Sequence, residues 1–143
     1  MKSSNFIRTA IAAAVVLALP GISSADNDKC KDVRFRVTNE HSTGKKIKIT
    51  GVTYHDVVNN KDVTKDLAEV ECAIHSTCLT SDKDLHDVEG TNIKDIHIVF
   101  RYKENDGDWS DKVKSKAFEP DNKTCRADRI YGPAPDGFVI GGS

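Results

Sequence analysis

An alternating apolar stretch between residues 95 and 118 limits this chain to a fold that is rich in β-strands. The apolar residues on every second position are Ile96, Ile98, Phe100 and Tyr102. A spacing of two residues is typical of a strand that buries one face. Residues 105–108, Asn-Asp-Gly-Asp, then have the composition of a tight turn. Trp109, Val113 and Ala117 restart an apolar row, so the whole stretch predicts a β-hairpin.

Two segments nearer the N-terminus show the same alternation, at residues 33–38 and 46–49. Past Gly51 the apolar side chains change parity by one residue. A glycine at such a shift within a strand indicates a β-bulge. We therefore expect one long strand over residues 45–55 that bends near Gly51. A turn at residues 39–44 predicts that this strand pairs antiparallel with the strand before it.

The remaining apolar segments are short. Residues 63–74 fit both a helical stripe and an alternating strand, and the strand signals elsewhere favour the strand. Apolar runs at residues 130–131 and 138–140 predict further strands. About six to eight short strands separated by turns, with no long helix, are typical of an all-β domain. We expect a small antiparallel β-sandwich, and a small β-barrel is the alternative architecture.

The first 25 residues have the composition of an export signal. A positively charged start precedes the apolar run 10–22, and small residues follow up to Ala25. The run is shorter than the about 20 residues that cross a bilayer. We therefore predict a signal peptide over residues 1–25, of a compact type that favours a bacterial source. Residues 26–143 form a single β-sandwich domain in this interpretation, exported to the periplasm or the extracellular space.

All four cysteines of the chain follow the predicted signal. An even number of cysteines in an exported protein predicts disulfides, here two. Of the three possible connectivities we expect Cys30–Cys125, which would tie the two ends of the domain together, and Cys72–Cys78, which closes a short loop. A zinc site is the alternative, but the spacing Cys-x5-Cys lacks the short step of common zinc ligands.

The charge balance argues against a nucleic-acid partner. The chain has 21 Lys and Arg, of which two lie in the signal, against 22 Asp and Glu. The mature chain is therefore mildly acidic, at about −3, whereas nucleic-acid-binding domains are usually basic. No apolar run after the signal is long enough to cross a membrane, so we predict no transmembrane segment in the mature chain.

No motif in the sequence is specific for catalysis. Gly-x-Ser-x-Gly does not occur, and the five histidines lack the His-x-His and His-x3-His spacings. A thiol nucleophile is excluded if all cysteines are paired. We therefore favour a non-enzymatic protein without cofactor or metal. Oxygen-rich clusters at residues 105–111 and 82–87 keep calcium as a weaker alternative, without the ligand spacing of a calcium-binding loop.

The charge on the solvent face of the predicted strands is the most informative functional feature. Cations occupy outward positions, whereas acidic residues concentrate at 56–71 and 82–95. If these strands share a sheet, its outer face carries a local positive field that the net charge hides. The predicted cationic residues are Arg34, Arg36, Lys46, Lys48, Arg101, Lys103, Lys112, Lys114 and Lys116. Strand lysines that prevent edge-to-edge aggregation are the alternative explanation.

Three aromatic residues are candidates for ligand contacts, namely Trp109, Tyr102 and Tyr54. A place in the core is the alternative for Trp109, the only tryptophan. The sequence predicts a secreted or periplasmic binding module that recognises an anionic surface or a partner protein. The anionic surface would be a lipid headgroup, lipopolysaccharide or an acidic glycan. A small secreted hydrolase and a membrane-active virulence factor or toxin are the alternatives.

Overall fold

A computed structural model describes residues 30–42, 45–85, 93–103, 106–120 and 124–141, and these residues form eight strands and no helix. The strands are β1 (Arg34–Asn39), β2 (Lys46–Asp56), β3 (Lys61–Cys72), β4 (Thr77–Leu79), β5 (Lys94–Lys103), β6 (Val113–Lys114), β7 (Ile130–Tyr131) and β8 (Phe138–Ile140). The all-β prediction is confirmed. The predicted signal peptide over residues 1–25 lies outside the described residues.

The larger sheet has the strand order β3-β2-β5-β6 and is antiparallel throughout. In its centre, Ile49 of β2 lies opposite Val70 on one side and Phe100 on the other. The predicted hairpin is present as β5 and β6, with Phe100 opposite Val113. Asn105 of the predicted turn lies outside the described residues. The ambiguous segment 63–74 is largely strand, because β3 pairs antiparallel with β2 on both sides of the bulge.

The predicted bulge in β2 is confirmed. The register of β2 shifts between Ile49 and Gly51 against both neighbouring strands. The backbone of β3 approaches closely at this point, since a Cβ atom on Gly51 would lie 2.8 Å from the carbonyl oxygen of Lys65. Glycine is required here because any side chain would collide with that backbone.

The smaller sheet is built around β1. Its neighbour on one edge is the antiparallel β4, and the short parallel strands β7 and β8 follow one another along the other edge. The expected antiparallel pairing of β1 with β2 was wrong, since the two strands lie in different sheets. The buried Asn39 explains this. Its side-chain amide donates to the carbonyl oxygens of Lys45 (2.8 Å) and Cys72 (3.0 Å), and so holds the chain as it crosses between sheets.

Both sheets contribute to one core. Phe35 and Val37 of β1, Ile47 and Ile49 of β2, and Phe138 of β8 belong to the same buried cluster. Aromatic rings stack between the segments, with centroids 5.8 Å apart for Phe35 and Tyr131 and 4.8 Å apart for Phe118 and Phe138. The described strands form two sheets around this core and not a closed barrel. The β-sandwich prediction is therefore confirmed over the barrel.

Both predicted disulfides are present. Cys30 and Cys125 have a Cα–Cα distance of 5.1 Å, and Cys72 and Cys78 one of 5.9 Å. The first pair closes a loop with a sequence separation of 95, for which the chain-entropy argument gives a stabilisation of about 4–5 kcal/mol. The second pair joins the end of β3 to β4, and therefore one sheet to the other. Two disulfides are consistent with an oxidising, exported compartment.

The tight contact at Gly51 generates a stability prediction. Gly51→Ala should lower the free energy of unfolding by about 1–3 kcal/mol, because the backbone of β3 has to move away from the added methyl group. Urea denaturation followed by circular dichroism measures this loss. Val58→Ala, at a position that is 62% exposed, is the control and should change the stability by less than about 0.5 kcal/mol. Equal effects of the two substitutions would contradict this account of the bulge.

Asp56 caps the turn between β2 and β3. Its carboxylate is fully buried and accepts hydrogen bonds from the backbone N–H groups of Val58 (2.9 Å) and Asn59 (3.1 Å) and from the Asn59 side-chain amide (2.6 Å). Burial alone would raise the pKa of Asp56, but these hydrogen bonds, aided by Lys61, outweigh it and lower the pKa below the ordinary value of 3.8. The ionised carboxylate therefore stabilises the fold.

Asp56→Ala should lower the free energy of unfolding by about 1–3 kcal/mol at pH 7, because the turn loses its acceptor. The folded-state pKa is depressed, so this contribution is complete above the unfolded value of 3.8 and is lost as the pH falls through the folded value. The difference between wild type and variant should shrink in urea titrations below about pH 3.8. A difference that stays constant down to pH 2 would contradict a role for the ionised form.

Candidate functional site: a cationic sheet face

The pairing of β2 with β5 places four of the predicted cations side by side on the outer face of the larger sheet. Lys46 lies opposite Lys103, and Lys48 lies opposite Arg101. Adjacent strands are about 4.8 Å apart, and successive residues on one face of a strand are about 6.8 Å apart. Like charges directly opposite one another destabilise a sheet. This arrangement of cations therefore costs the fold stability.

Strand β3 supplies part of the compensating negative charge. Lys46 Nζ lies 3.2 Å from Glu71 Oε2, and Lys48 Nζ lies 3.3 Å from Glu69 Oε2. Both glutamates are about half exposed or more, at 52% and 61%. Exposed ion pairs of this kind contribute about 0–1 kcal/mol each. They reduce the repulsion between the lysines without removing the positive charge of the face.

Arg101 differs from Lys46 and Lys48 because it has no carboxylate within ion-pair distance in the part of the chain that the structure describes. Its Nε–H group is buried and has no hydrogen-bond partner there, while the residue as a whole is partly exposed. An unpaired buried donor costs about 1–3 kcal/mol. A guanidinium group binds carboxylate, phosphate or sulfate through two parallel hydrogen bonds. Arg101 is therefore the residue of this face best suited to an oxyanion.

Trp109 lies on this same outer face and not in the core. Its half-buried ring has the ammonium groups of Lys48 and Lys103 at 4.5 Å and 5.5 Å from the ring centroid. Cations at these distances are attracted to the face of an indole ring. The contact of Trp109 with a ligand stays a prediction, and the structure places its ring beside two of the predicted cations.

An arm formed by residues 106–112 holds Trp109 over the sheet. Ser110 anchors it to β5, since its N–H donates to the Tyr102 carbonyl (2.9 Å) and its Oγ accepts from the Tyr102 N–H (3.0 Å). Lys112 Nζ lies 3.8 Å from Asp66 Oδ1 of β3. The arm also carries exposed aspartates at positions 106, 108 and 111. Acidic groups therefore border the cationic face. The contacts of Ser110 with β5 and of Lys112 with β3 hold the arm, and with it the indole, in position.

Not all predicted cations belong to this face. Arg34 and Arg36 lie on β1 in the smaller sheet, and Arg36 Nη1 donates to the carbonyl oxygen of Gly132 (2.9 Å). Lys114 lies opposite Val99 at the edge of the larger sheet, whereas Lys116 lines a cavity elsewhere. The hypothesis that all nine cations form one plate required all of their strands to lie in one sheet. It was wrong, because only β2, β5 and β6 share a sheet, whereas β1 lies in the other.

The predicted tyrosines also lie elsewhere. Tyr54 is fully buried in the core, so its proposed role in a binding surface was wrong; the parity change at the bulge turns it inward. Tyr102 is half-buried, with the ring of His41 stacked at 5.3 Å and Lys45 Nζ 4.5 Å from its centroid. Tyr102, His41 and Lys45 therefore form a cluster that is separate from Trp109.

A cavity of about 260 Å³ lies beside this cluster. Its lining is mainly apolar and includes Phe100, Phe118 and Ile140. The imidazole of His41 and the side chain of Lys116 also line it. Burial lowers the pKa of His41, and the nearby ammonium of Lys45 lowers it further. The sequence contained no signal for this cavity, because its walls come from segments that are far apart along the chain.

A second cavity, of about 400 Å³, is polar. It is lined by Asp32, Lys65, Asp82, Lys83 and Asp84. The Asp32 N–H donates to Asp84 Oδ1 (3.0 Å), and burial raises the pKa of the Asp32 carboxyl.

The calcium alternative concerns this cavity in part, since Asp82 and Asp84 line it. Asp87 and Asn105 of the two oxygen-rich clusters lie outside the described residues. Within the described ranges, no group of three or more His, Cys, Asp or Glu side chains is arranged to hold a metal ion. Two lysines in the cavity wall would also compete with a cation.

Comparisons with protein-family models, with curated proteins and with solved structures found no match for this chain. The described segments contain no helix with the length and apolar character needed to cross a bilayer.

The position of His41 generates a titration prediction. Its imidazole should titrate below the ordinary value of 6.5, and Lys45→Gln should move the pKa back upward because one of the two lowering effects is removed. The folded-state pKa lies below the unfolded value, so the fold loses stability as the pH falls from about 6.5 through the folded value. NMR titration of the His41 ring protons measures the shift. An unchanged pKa in Lys45→Gln would contradict the assigned cause.

Proposed function

We propose that the protein is an exported, non-enzymatic binding module that recognises an anionic ligand through the outer face of its larger sheet. The cationic face comprises Lys46, Lys48, Arg101, Lys103, Lys112 and Lys114, with Trp109 among them. The observation that carries the proposal is Arg101, whose guanidinium stands among like charges without a carboxylate partner in the described chain and with its Nε–H buried and unpaired.

The distribution of ion pairs supports binding over a role in solubility alone. Lysines that only prevent aggregation need no particular partner and are commonly found at sheet edges. Here two opposed cation pairs occupy the central strands β2 and β5, where they repel one another. The carboxylates of Glu69 and Glu71 offset the charge on the β3 side only. Arg101 and Lys103 on β5 remain available for an anion.

The chemistry of the face defines the ligand group. A planar guanidinium pairs with an oxyanion through a two-pronged contact, and neighbouring ammonium groups add charge without fixed geometry. Carboxylate, phosphate and sulfate groups all meet this requirement. The two disulfides support a function in an oxidising compartment, where polysaccharides and membrane surfaces present such groups.

Arg101→Gln tests the proposal, with dextran sulfate as the probe and neutral dextran as its uncharged counterpart. The substitution should weaken binding at low salt by about tenfold, equivalent to ~1.4 kcal/mol, because the two-pronged contact is lost. Arg34→Gln is the matched control, since it removes the same charge from an exposed position on the smaller sheet. Calorimetry or biolayer interferometry measures both affinities.

Binding of the wild type should also fall as salt rises, because ions screen exposed charges. Equal losses in Arg101→Gln and Arg34→Gln would show a diffuse charge effect and contradict a site at Arg101. No binding of dextran sulfate at low salt would overturn the proposal and leave the lysines with a role in solubility.

A further inference from the structure

We infer that the anionic ligand is an acidic polysaccharide whose sugar ring packs on Trp109 while its sulfate or carboxylate group binds Arg101. This inference rests on the proposed function and adds the class of ligand. The juxtaposition that carries it is an indole ring and a guanidinium with no carboxylate partner in the described chain, both on the same sheet face, with Lys48 and Lys103 in contact with the ring.

The combination of ring and cations matches the two parts of an acidic sugar. The face of a pyranose ring is largely C–H and packs on an aromatic ring, whereas its substituents are polar. Lys48 is next to both features, because it lies opposite Arg101 in the sheet and its ammonium lies 4.5 Å from the Trp109 centroid. A sugar on the indole would therefore have its acid group within reach of Lys48 and Arg101.

The two lysines on the ring also explain how the free protein keeps this surface ordered. Without ligand, the ammonium groups of Lys48 and Lys103 are held by the electron-rich indole face. Lys48 already has a charged partner, since its Nζ lies 3.3 Å from Glu69 Oε2, whereas Lys103 has no carboxylate partner in the described chain. An acid group of the ligand would supply one to Lys103. Binding would exchange the cation–π contact of Lys103 for an ion pair and give the sugar access to the ring.

A lipid surface fits the observations less well, because Trp109 is the only large apolar group on the described face that could enter a bilayer, and it is half-buried with two ammonium groups against its ring. The large exposed apolar residues in the described chain are Val58, Leu79, Ile130 and Val139. Three of these belong to the smaller sheet, and Val58 lies in the turn after β2. The apolar Val99, on the outer side of β5, is only 7% exposed. Peripheral membrane binding usually combines basic charge with inserted apolar side chains.

A sheet face also suits an extended chain better than a small ligand. The paired rows Lys46/Lys103 and Lys48/Arg101 repeat at about 6.8 Å along the strands. The cations therefore form a track and not a closed pocket, and neither of the two cavities described above, at His41 and at Asp32, is lined by Lys46, Lys48, Arg101 or Lys103. A polymer with an acid group at regular intervals can contact several of these cations at once.

The single tryptophan makes the inference directly testable, since indole fluorescence reports only on position 109. The disulfide-bonded protein is titrated with heparin, with poly-glutamate as an anionic chain without sugar rings, with neutral dextran, and with phosphatidylglycerol vesicles. Heparin should change the Trp109 emission and bind more tightly than poly-glutamate. Phosphatidylglycerol vesicles should bind more weakly than heparin at equal charge concentration.

Trp109→Ala separates ring stacking from charge. It should weaken heparin binding by about tenfold, whereas poly-glutamate binding should be unchanged or tighter, because Lys48 and Lys103 are released from the ring. Trp109→Phe should restore most of the heparin affinity. Interferometry measures these variants, and far-UV circular dichroism with thermal melting confirms that each one is folded.

The outcomes separate the two proposals. If heparin and poly-glutamate bind equally and Trp109→Ala weakens neither, the polysaccharide inference is overturned while the anion-binding function stands. Preferential binding to the vesicles would overturn it in favour of a lipid surface. If none of the three anionic probes binds at low salt, the proposed function itself fails.

Discussion

The register between β2 and β5 is the constraint on which the rest of the structure depends. When Ile49 lies opposite Phe100, the next pair, Lys48 and Arg101, necessarily points the other way. A slip of one residue would expose the apolar row and bury the cations. The burial of one face and the charge on the other are therefore two consequences of the same alignment. The bulge at Gly51 then lets the strand continue with Val52 turned inward.

The same alignment places like charges next to one another on the outer face. Opposed cations at the centre of a sheet repel one another, and neighbouring groups compensate this repulsion only in part. Glu69 and Glu71 pair with lysines of β2, and the indole of Trp109 lies against two ammonium groups. Arg101 is left without such relief within the described chain. This remaining imbalance is the observation on which the proposed anionic ligand rests.

Local patterns predicted the elements of this fold well but not their partners. Alternation, the glycine at the bulge and the even cysteine count each depend on neighbours in sequence or on covalent chemistry, and the structure confirms them. The pairing of β1 with β2 was wrong because a short connection favours a hairpin only when no other strand takes the same edge. Here Asn39 redirects the chain, and β1 pairs with β4, β7 and β8 instead. The cavity at His41 likewise depends on contacts between distant segments.

By itself, the sequence determined which side chains alternate, where the long strand bends and that the four cysteines suffice for two disulfides, because these properties follow from local geometry and residue chemistry. Only the tertiary structure decided which cations share a face. It separated Arg34 and Arg36 from β2 and β5, and it brought Trp109 out of the core to the lysines. The physical reason is that the order of strands in a sheet depends on which pairings and which buried faces are most stable for the chain as a whole. No single segment of the sequence specifies these long-range pairings.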